Sequence, residues 1–276
     1  MNDPVPIGVI GLGLIGGSVA KAYLKAGHRV YGYDPDPATR HLAAADGVRT
    51  EEDWPQWVDE VSLLFLAAPL SFIAEWLRRL AEVARQPKVV AELSSVKTPL
   101  LGALGGLPPH LAPLALHPMA GKERSGYGAS EANLFRGARC AVVPVPGRPT
   151  PAVVGEVMAV LGMHAVVVEA QAHDQAVAVS SHLPYLVAAT LLSVAGSASG
   201  PWRALVGPGF LDTTRAGAAP LSLFGPIVAA NREAVLPVLE EYRAALERLI
   251  EALKAGAPLD PIVSATSVRA GLLQGE

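Results

Sequence analysis

Short apolar runs alternate with amphipathic stretches along the first two-thirds of the chain. Runs rich in Val and Leu at residues 7–10, 29–33, 62–67, 88–93, 114–116, 140–145 and 165–168 predict β-strands. Between several of them a helical pattern covers residues 17–26, 72–84 and 152–161. Continuously apolar strands separated by helices predict an α/β architecture with a largely parallel sheet covered on both faces. From about residue 169 the strand pattern stops, and residues 174–198 and 229–254 predict long helices. The expected organisation is therefore a sheet domain over residues 1–168 and an all-α helical domain over residues 169–276.

Two helical segments need closer reading. In the last one Val235, Leu239, Tyr242, Leu246, Leu249 and Leu253 recur at steps of four and three, a narrow apolar stripe suited equally to intrachain packing or to a subunit interface. Residues 175–202 contain no Asp, Glu, Lys or Arg, a length sufficient to cross a bilayer. However, "SSHLP" interrupts this segment, and Ser193, Gly196, Ser197, Ser199 and Gly200 dilute its second half. A buried helix of a soluble protein is expected, with no membrane partner.

Composition narrows the picture. The chain has 276 residues, 51% of them hydrophobic and 17% charged, so a sizeable core is available and extensive disorder is not expected. A net charge of −3 without a long basic run offers nothing to nucleic acid. The single cysteine, Cys140, excludes an intrachain disulfide framework and fits a reducing cytoplasm. The seven histidines lack metal-ligand spacing, so no metal is expected. The first residues lack a basic n-region, and glycines break the apolar run that follows, so no signal peptide is expected.

"GVIGLGLIGGS" places Gly11, Gly13 and Gly16 in a G-x-G-x-x-G pattern after a predicted strand and at the start of a predicted helix. Gly11 permits a tight turn, Gly13 lets the backbone approach a pyrophosphate, and Gly16 lets the helix pack on the strand. Leu14, Ile15 and Gly16 lead into the helix, whose free N-terminal N–H groups face the anion. The next strand, "RVYGYD", ends in Asp34, eighteen positions beyond Gly16, where a carboxylate engages ribose hydroxyls and repels a 2′-phosphate. These features predict a Rossmann-type domain binding NAD in preference to NADP.

Three polar clusters follow the strands of this domain: "LAAPLS", "LSSVK" and "LHPMAGKERSG". In an open α/β sheet they share the ligand-binding edge with the glycine loop, which brings Ser94, Ser95, Lys97 and His117 to that edge. An imidazole there can accept a proton from an alcohol whose carbon is losing hydride. The helical part adds "SSHLPY" with His182 and "GPGFLDTTR" with Asp212 and Arg215, and an arginine in such a loop can fork around a carboxylate.

In this order, "GVIGLGLIGGS", "SSVK", "HPMAG", "KERSG", "SSHLPY" and "GFLDTTR" resemble the prephenate and arogenate dehydrogenases, the oxidative enzymes of tyrosine biosynthesis. The resemblance implies a Rossmann domain followed by a helical domain that forms a homodimer, with the active site between them. It implies NAD-dependent oxidation of a cyclohexadienol at C4 with loss of the ring carboxylate as CO₂. It further implies that His117 engages the C4 hydroxyl, that Ser95 hydrogen-bonds nearby, and that Arg215 holds a substrate carboxylate. His182 would be a second substrate-contacting histidine and Glu123 part of an ion network guarding the pocket. Lys122 departs from the family pattern, standing where a small hydroxylated residue is common, and the added cation is expected to favour prephenate over arogenate.

Two other readings compete. A β-hydroxyacid dehydrogenase would use a catalytic lysine on a helix of the second part, but the only lysine after residue 122 is Lys254. A non-catalytic NAD-binding sensor needs the glycine loop and Asp34 but has no use for His117, Ser95 and Arg215 together.

Overall fold

The structure, a computed structural model, describes residues 5–53, 55–122 and 124–274. Eight strands form one sheet in the order β3-β2-β1-β4-β5-β6-β7-β8. They are β1 (Ile7–Ile10), β2 (Val30–Tyr33), β3 (Arg49–Thr50), β4 (Leu63–Leu66), β5 (Lys88–Glu92), β6 (Leu111–Pro118), β7 (Arg139–Val143) and β8 (His164–Val167). All pairings are parallel except that of β6 with β7. The order in which strands are added reverses between β1 and β4, and doubly wound sheets use the crevice at such a point for nucleotides.

Each parallel crossover carries helical structure, as strand handedness requires. α1 (Leu14–Lys25) joins β1 to β2, α2 (Pro37–Ala45) joins β2 to β3, α3 (Leu70–Val83) joins β4 to β5, and α4 (Leu101–Gly105) lies between β5 and β6. α5 (Val154–Leu161) connects β7 to β8. Alternation along the strands feeds two cores. Ile7, Val9, Leu63 and Phe65 pack with Val19 and Leu161 on one face, while Ile10, Leu64 and Leu66 pack with Ile73, Leu77 and Leu80 on the other. The sheet is thus covered on both sides, as its apolar runs predict.

The remaining chain is helical: α6 (Ala170–Val177), α7 (Leu183–Ser197), α8 (Pro208–Thr214), α9 (Leu221–Ala230), α10 (Arg232–Ala255) and α11 (Ala265–Gln274). A π-helical turn over Ala178–His182 joins α6 to α7 without a break, so helix runs from Ala170 to Ser197. This helix is long and apolar enough to cross a membrane, and only 28% of its apolar window is buried within the chain. The predicted burial is therefore partial, with Val179 and Val194 on the surface. The stripe on α10 behaves similarly: Val235 is buried, whereas Leu246 and Leu253 face outward.

Several elements differ from the sequence expectation. α2 is absent from the predicted helices, yet Asp36 caps it by accepting from the Ala38 and Thr39 N–H groups, with Pro37 at the first helical position. β3 has only two residues and no apolar run to reveal it. β6 extends beyond residues 114–116 in both directions because β5 and β7 pair with its ends.

Candidate active site

The glycine loop meets the structural demands of a dinucleotide cradle. Gly11 has φ +88°, and a Cβ there would lie 2.7 Å from the Ala67 carbonyl oxygen. A Cβ on Gly16 would lie 1.8 Å from the Gly11 carbonyl oxygen, whereas nothing approaches within 4 Å of the corresponding position on Gly13. No side chain caps α1, so the first N–H groups, those of Leu14, Ile15 and Gly16, are left to an anionic group. Asp34 is half-buried, and its carboxylate accepts the Leu12 N–H at 2.8 Å and the Asp36 N–H at 3.0 Å. Two oxygens retain further lone pairs for ribose hydroxyls, and their negative charge opposes a 2′-phosphate. These residues fit NAD.

β1, β4 and β5 end on one rung, where Ile10 aligns with Leu66 and Leu66 with Glu92, and β6 crosses that rung at Ala115 and runs on to Pro118. Gly11 and His117 both lie just beyond this rung. With strands about 4.8 Å apart, β1 and β6 are roughly 14 Å from each other across this edge. The loop after β5 carries Ser94, Ser95 and Lys97 to the same edge, as the sequence predicts.

Beneath the edge lies a buried polar assembly. The fully buried Lys97 ammonium is paired with the fully buried Glu92 carboxylate and donates to the Leu116 carbonyl at 2.6 Å. Ser94 donates to Glu92 from its hydroxyl at 2.6 Å and from its N–H at 2.9 Å. Lys97 therefore fastens the loop to β6 one residue before His117. Burial pulls the Lys97 pKa below its ordinary value, against the opposing pull of Glu92. Beside it, burial pushes the Cys140 thiol up to about 12, so this cysteine is a neutral packing group.

His117 contacts the helical part directly. Its Nδ1 lies 2.9 Å from Nε2 of the buried His173, whose Nδ1 lies 2.8 Å from the Asp174 carboxylate. The Asp174 carboxylate also accepts the backbone N–H groups of Lys97 and Thr98 at 2.9 and 2.8 Å. Burial raises the Asp174 pKa, but hydrogen bonds from His173, Thr98 and the Lys97 backbone outweigh it and hold the group below the ordinary carboxylate range. Burial also pushes His117 well below its ordinary value, reinforced by Lys97, His173 and His182, with Asp174 opposing. His117 is neutral at physiological pH, the form in which it can accept a proton.

The assembly reaches the second predicted histidine through Asn231, in the turn between α9 and α10. Its Nδ2 donates to the Asp174 carbonyl at 2.8 Å and lies 3.2 Å from His182 Nδ1. An amide nitrogen only donates, so His182 Nδ1 accepts and the His182 proton sits on Nε2. Burial lowers the His182 pKa, leaving a neutral ring whose Nε2–H can donate. The structure thus joins His117 to His182 through His173, Asp174 and Asn231, none of which the sequence reading assigned a role.

The other predicted residues occupy less enclosed positions. Ser95 is half-buried between Ser94 and Lys97. Arg215 is exposed at the end of α8, on a 3-10 turn pinned against α7: a Cβ on Gly217 of that turn would lie 2.5 Å from the Ala189 backbone nitrogen. Lys122 is exposed, ion-paired with Glu131 at 2.5 Å, and donates to the Ala129 carbonyl at 3.4 Å. Its loop is held to the glycine-loop helix by Lys21 donating to the Ser130 carbonyl and by the Glu131 N–H donating to Ser18. Glu123 lies outside the described residues.

Comparison with known proteins agrees with this arrangement. Residues 19–169 match the family described as prephenate dehydrogenase, nucleotide-binding domain, and residues 169–260 the one described as prephenate dehydrogenase, dimerization domain. The chain is 29% identical over 259 residues to a cyclohexadienyl dehydrogenase of Zymomonas mobilis, covering 90% of this chain and 88% of that protein. It is similar to the crystal structure of prephenate dehydrogenase from A. aeolicus in complex with hydroxyphenyl propionate and NAD+, with TM-score 0.87, 25% identity, and coverage of 99% and 98% of the two chains. Similarity to arogenate dehydrogenase from Synechocystis has TM-score 0.79 at 27% identity, covering 98% of this chain and 100% of that one.

Proposed function

This chain belongs to the prephenate dehydrogenase family of NAD-dependent oxidoreductases, and on that premise we propose that it oxidatively decarboxylates prephenate to 4-hydroxyphenylpyruvate. The observation carrying this reading is the neutral His117, hydrogen-bonded through Nδ1 at the sheet edge that also bears the glycine loop. When bound, NAD would supply the acceptor for the C4 hydride, and the electron pair of the C1–carboxylate bond would enter the ring as CO₂ departs.

Each residue does work that its position supports. Gly11, Gly13 and Gly16, with the N–H groups of Leu14 and Ile15, cradle the pyrophosphate, and Asp34 takes the ribose hydroxyls. His117 accepts the C4 hydroxyl proton through Nε2, which makes no hydrogen bond to any described residue. General-base help of this kind contributes roughly 10²–10⁴-fold in rate. The Ser95 hydroxyl hydrogen-bonds beside His117, His182 donates through Nε2–H, and Arg215 forks around a substrate carboxylate. Lys122 adds positive charge at the pocket rim, moderated by Glu131, and this supports the more anionic prephenate.

The helical residues 169–276 form a homodimer and residues 1–168 the nucleotide domain. The apolar surface left on Val194, Leu246, Leu253 and Leu272 supports a covering second copy. A soluble cytoplasmic enzyme accords with such a dimer.

Arogenate is the alternative substrate, differing by an amino acid in place of the keto acid side chain. Purified protein with NAD and either compound separates the two, followed by NADH absorbance and product identification. Faster NADH formation with prephenate, yielding 4-hydroxyphenylpyruvate, is expected. Preference for arogenate with tyrosine as product would reverse the assignment, and silence with both would remove it.

A further inference from the structure

Resting on the reading of His117 as proton acceptor, we propose that His173 and Asp174 are positioning residues that fix the tautomer of His117 and steady the charge it acquires. The inference follows from donor and acceptor accounting along one buried chain of groups. The Asp174 carboxylate accepts from the Lys97 and Thr98 N–H groups, and, ionised, it can only accept. His173 Nδ1, at 2.8 Å, must therefore donate to it. In a neutral ring the opposite nitrogen, Nε2, is then bare and accepts from His117 Nδ1 at 2.9 Å. His117 is thereby left with its proton on Nδ1 and its lone pair on Nε2. With both rings neutral, one proton assignment satisfies every contact, and it produces the tautomer that a base at this edge requires.

The same chain serves during turnover. The C4 hydroxyl proton moves from oxygen to His117 Nε2, and the ring becomes an imidazolium whose Nδ1–H still donates to His173. The His173 ring passes the influence of the Asp174 carboxylate to that charge, which the nearby Lys97 ammonium would otherwise oppose. The proton then returns from His117 Nε2 to the product's phenolic oxygen. No proton is gained or lost overall, and His173 and Asp174 keep their protonation throughout. The groups facing His117 are Lys97 from the loop after β5, Cys140 from β7, His173 and Asp174 from α6, and His182 from the π turn. Among these, His173 is the one that hydrogen-bonds the His117 ring.

Asp174 also anchors α6 to the Lys97 loop, so a loss of activity alone would not separate positioning from architecture. The test uses Asp174→Asn, His173→Leu and His173→Gln in the full-length protein. Nitrogen-15 imidazole NMR of the cofactor-free protein reads the His117 tautomer directly, alongside kcat, KM, NAD affinity and melting temperature. Wild type is expected to hold the proton on Nδ1. In Asp174→Asn the amide can donate to His173, which turns both rings over and leaves His117 protonated on Nε2. There kcat falls by roughly 10²–10⁴-fold with KM and NAD affinity little changed.

His173→Leu mixes the tautomers and lowers kcat. His173→Gln, whose carbonyl can still accept from His117 Nδ1, restores the Nδ1–H tautomer and part of the rate. Should Asp174→Asn fail to fold, the two His173 variants decide the matter. The proposal is overturned if His117 keeps one tautomer in every folded variant, or if losses appear in KM and melting temperature with kcat intact. A wild-type protein silent toward both substrates would instead remove the functional reading, and the tautomer measurement would still judge the positioning claim.

Discussion

Replacing Lys97 with methionine isolates what the buried ion pair contributes. Methionine approximates the lysine stem, so packing is largely conserved while the charge disappears. Glu92 then keeps its two bonds from Ser94 but loses its counter-ion, and the Leu116 carbonyl loses its Lys97 donor. Both members of the pair are fully buried, so solvent cannot compensate. Removing one partner of such a pair costs about 3–5 kcal/mol, a large share of the roughly 5–15 kcal/mol that stabilises an ordinary domain. Urea denaturation at neutral pH should show a correspondingly lower midpoint with an unchanged slope. The double variant Glu92→Gln/Lys97→Met removes both charges and should recover most of the loss. A single-variant loss below about 1 kcal/mol, or a double variant no better than the single, would refute this electrostatic account.

Three further outcomes follow from the same geometry. Because burial and neighbouring charges lower the His117 pKa, the acid limb of kcat/KM should lie below the ordinary histidine value of about 6.5, and a limb at or above that value contradicts the assignment. His117 and His182 are both neutral in the fold, so below about pH 6.5 the unfolded chain binds protons that the folded chain does not. Stability is then fully present above that pH and lost as pH falls, and His182→Asn should flatten the decline measured by denaturant titration. Asp34→Ser should weaken NAD binding by roughly tenfold or more while improving NADP, because it removes the charge that the Leu12 N–H anchors and that repels a 2′-phosphate. Isothermal titration with both cofactors checks this, and an unchanged preference rejects it.

The legible parts of the fold were those that local periodicity controls. β1 coincides with its predicted run because Ile7, Val9 and Ile10 must be apolar to lie between two cores. α8 and α9 lacked a readable pattern because Gly209 and Pro226 interrupt it. Within the site, the glycine loop and His117 stood out because strand ends converge on one edge. His173 and Asp174 did not, since fifty-six positions separate His117 from His173 and only the docking of α6 unites them. A signal was nevertheless present. His173 shares a helix face with Ala170 and Val177, and Asp174 with Ala178, all buried. A histidine–aspartate pair on an otherwise apolar face requires polar partners inside the protein.

The central claim is that His117 accepts the substrate's hydroxyl proton beside a bound nicotinamide cofactor. Comparing wild type with His117→Asn, in NADH formation from prephenate and in NAD binding, tests it most directly. The account predicts that kcat/KM falls by roughly 10²–10⁴-fold while NAD affinity is preserved. A variant that turns over within about threefold of wild type would show that the proton leaves by another route, since a general base of this kind contributes at least about a hundredfold.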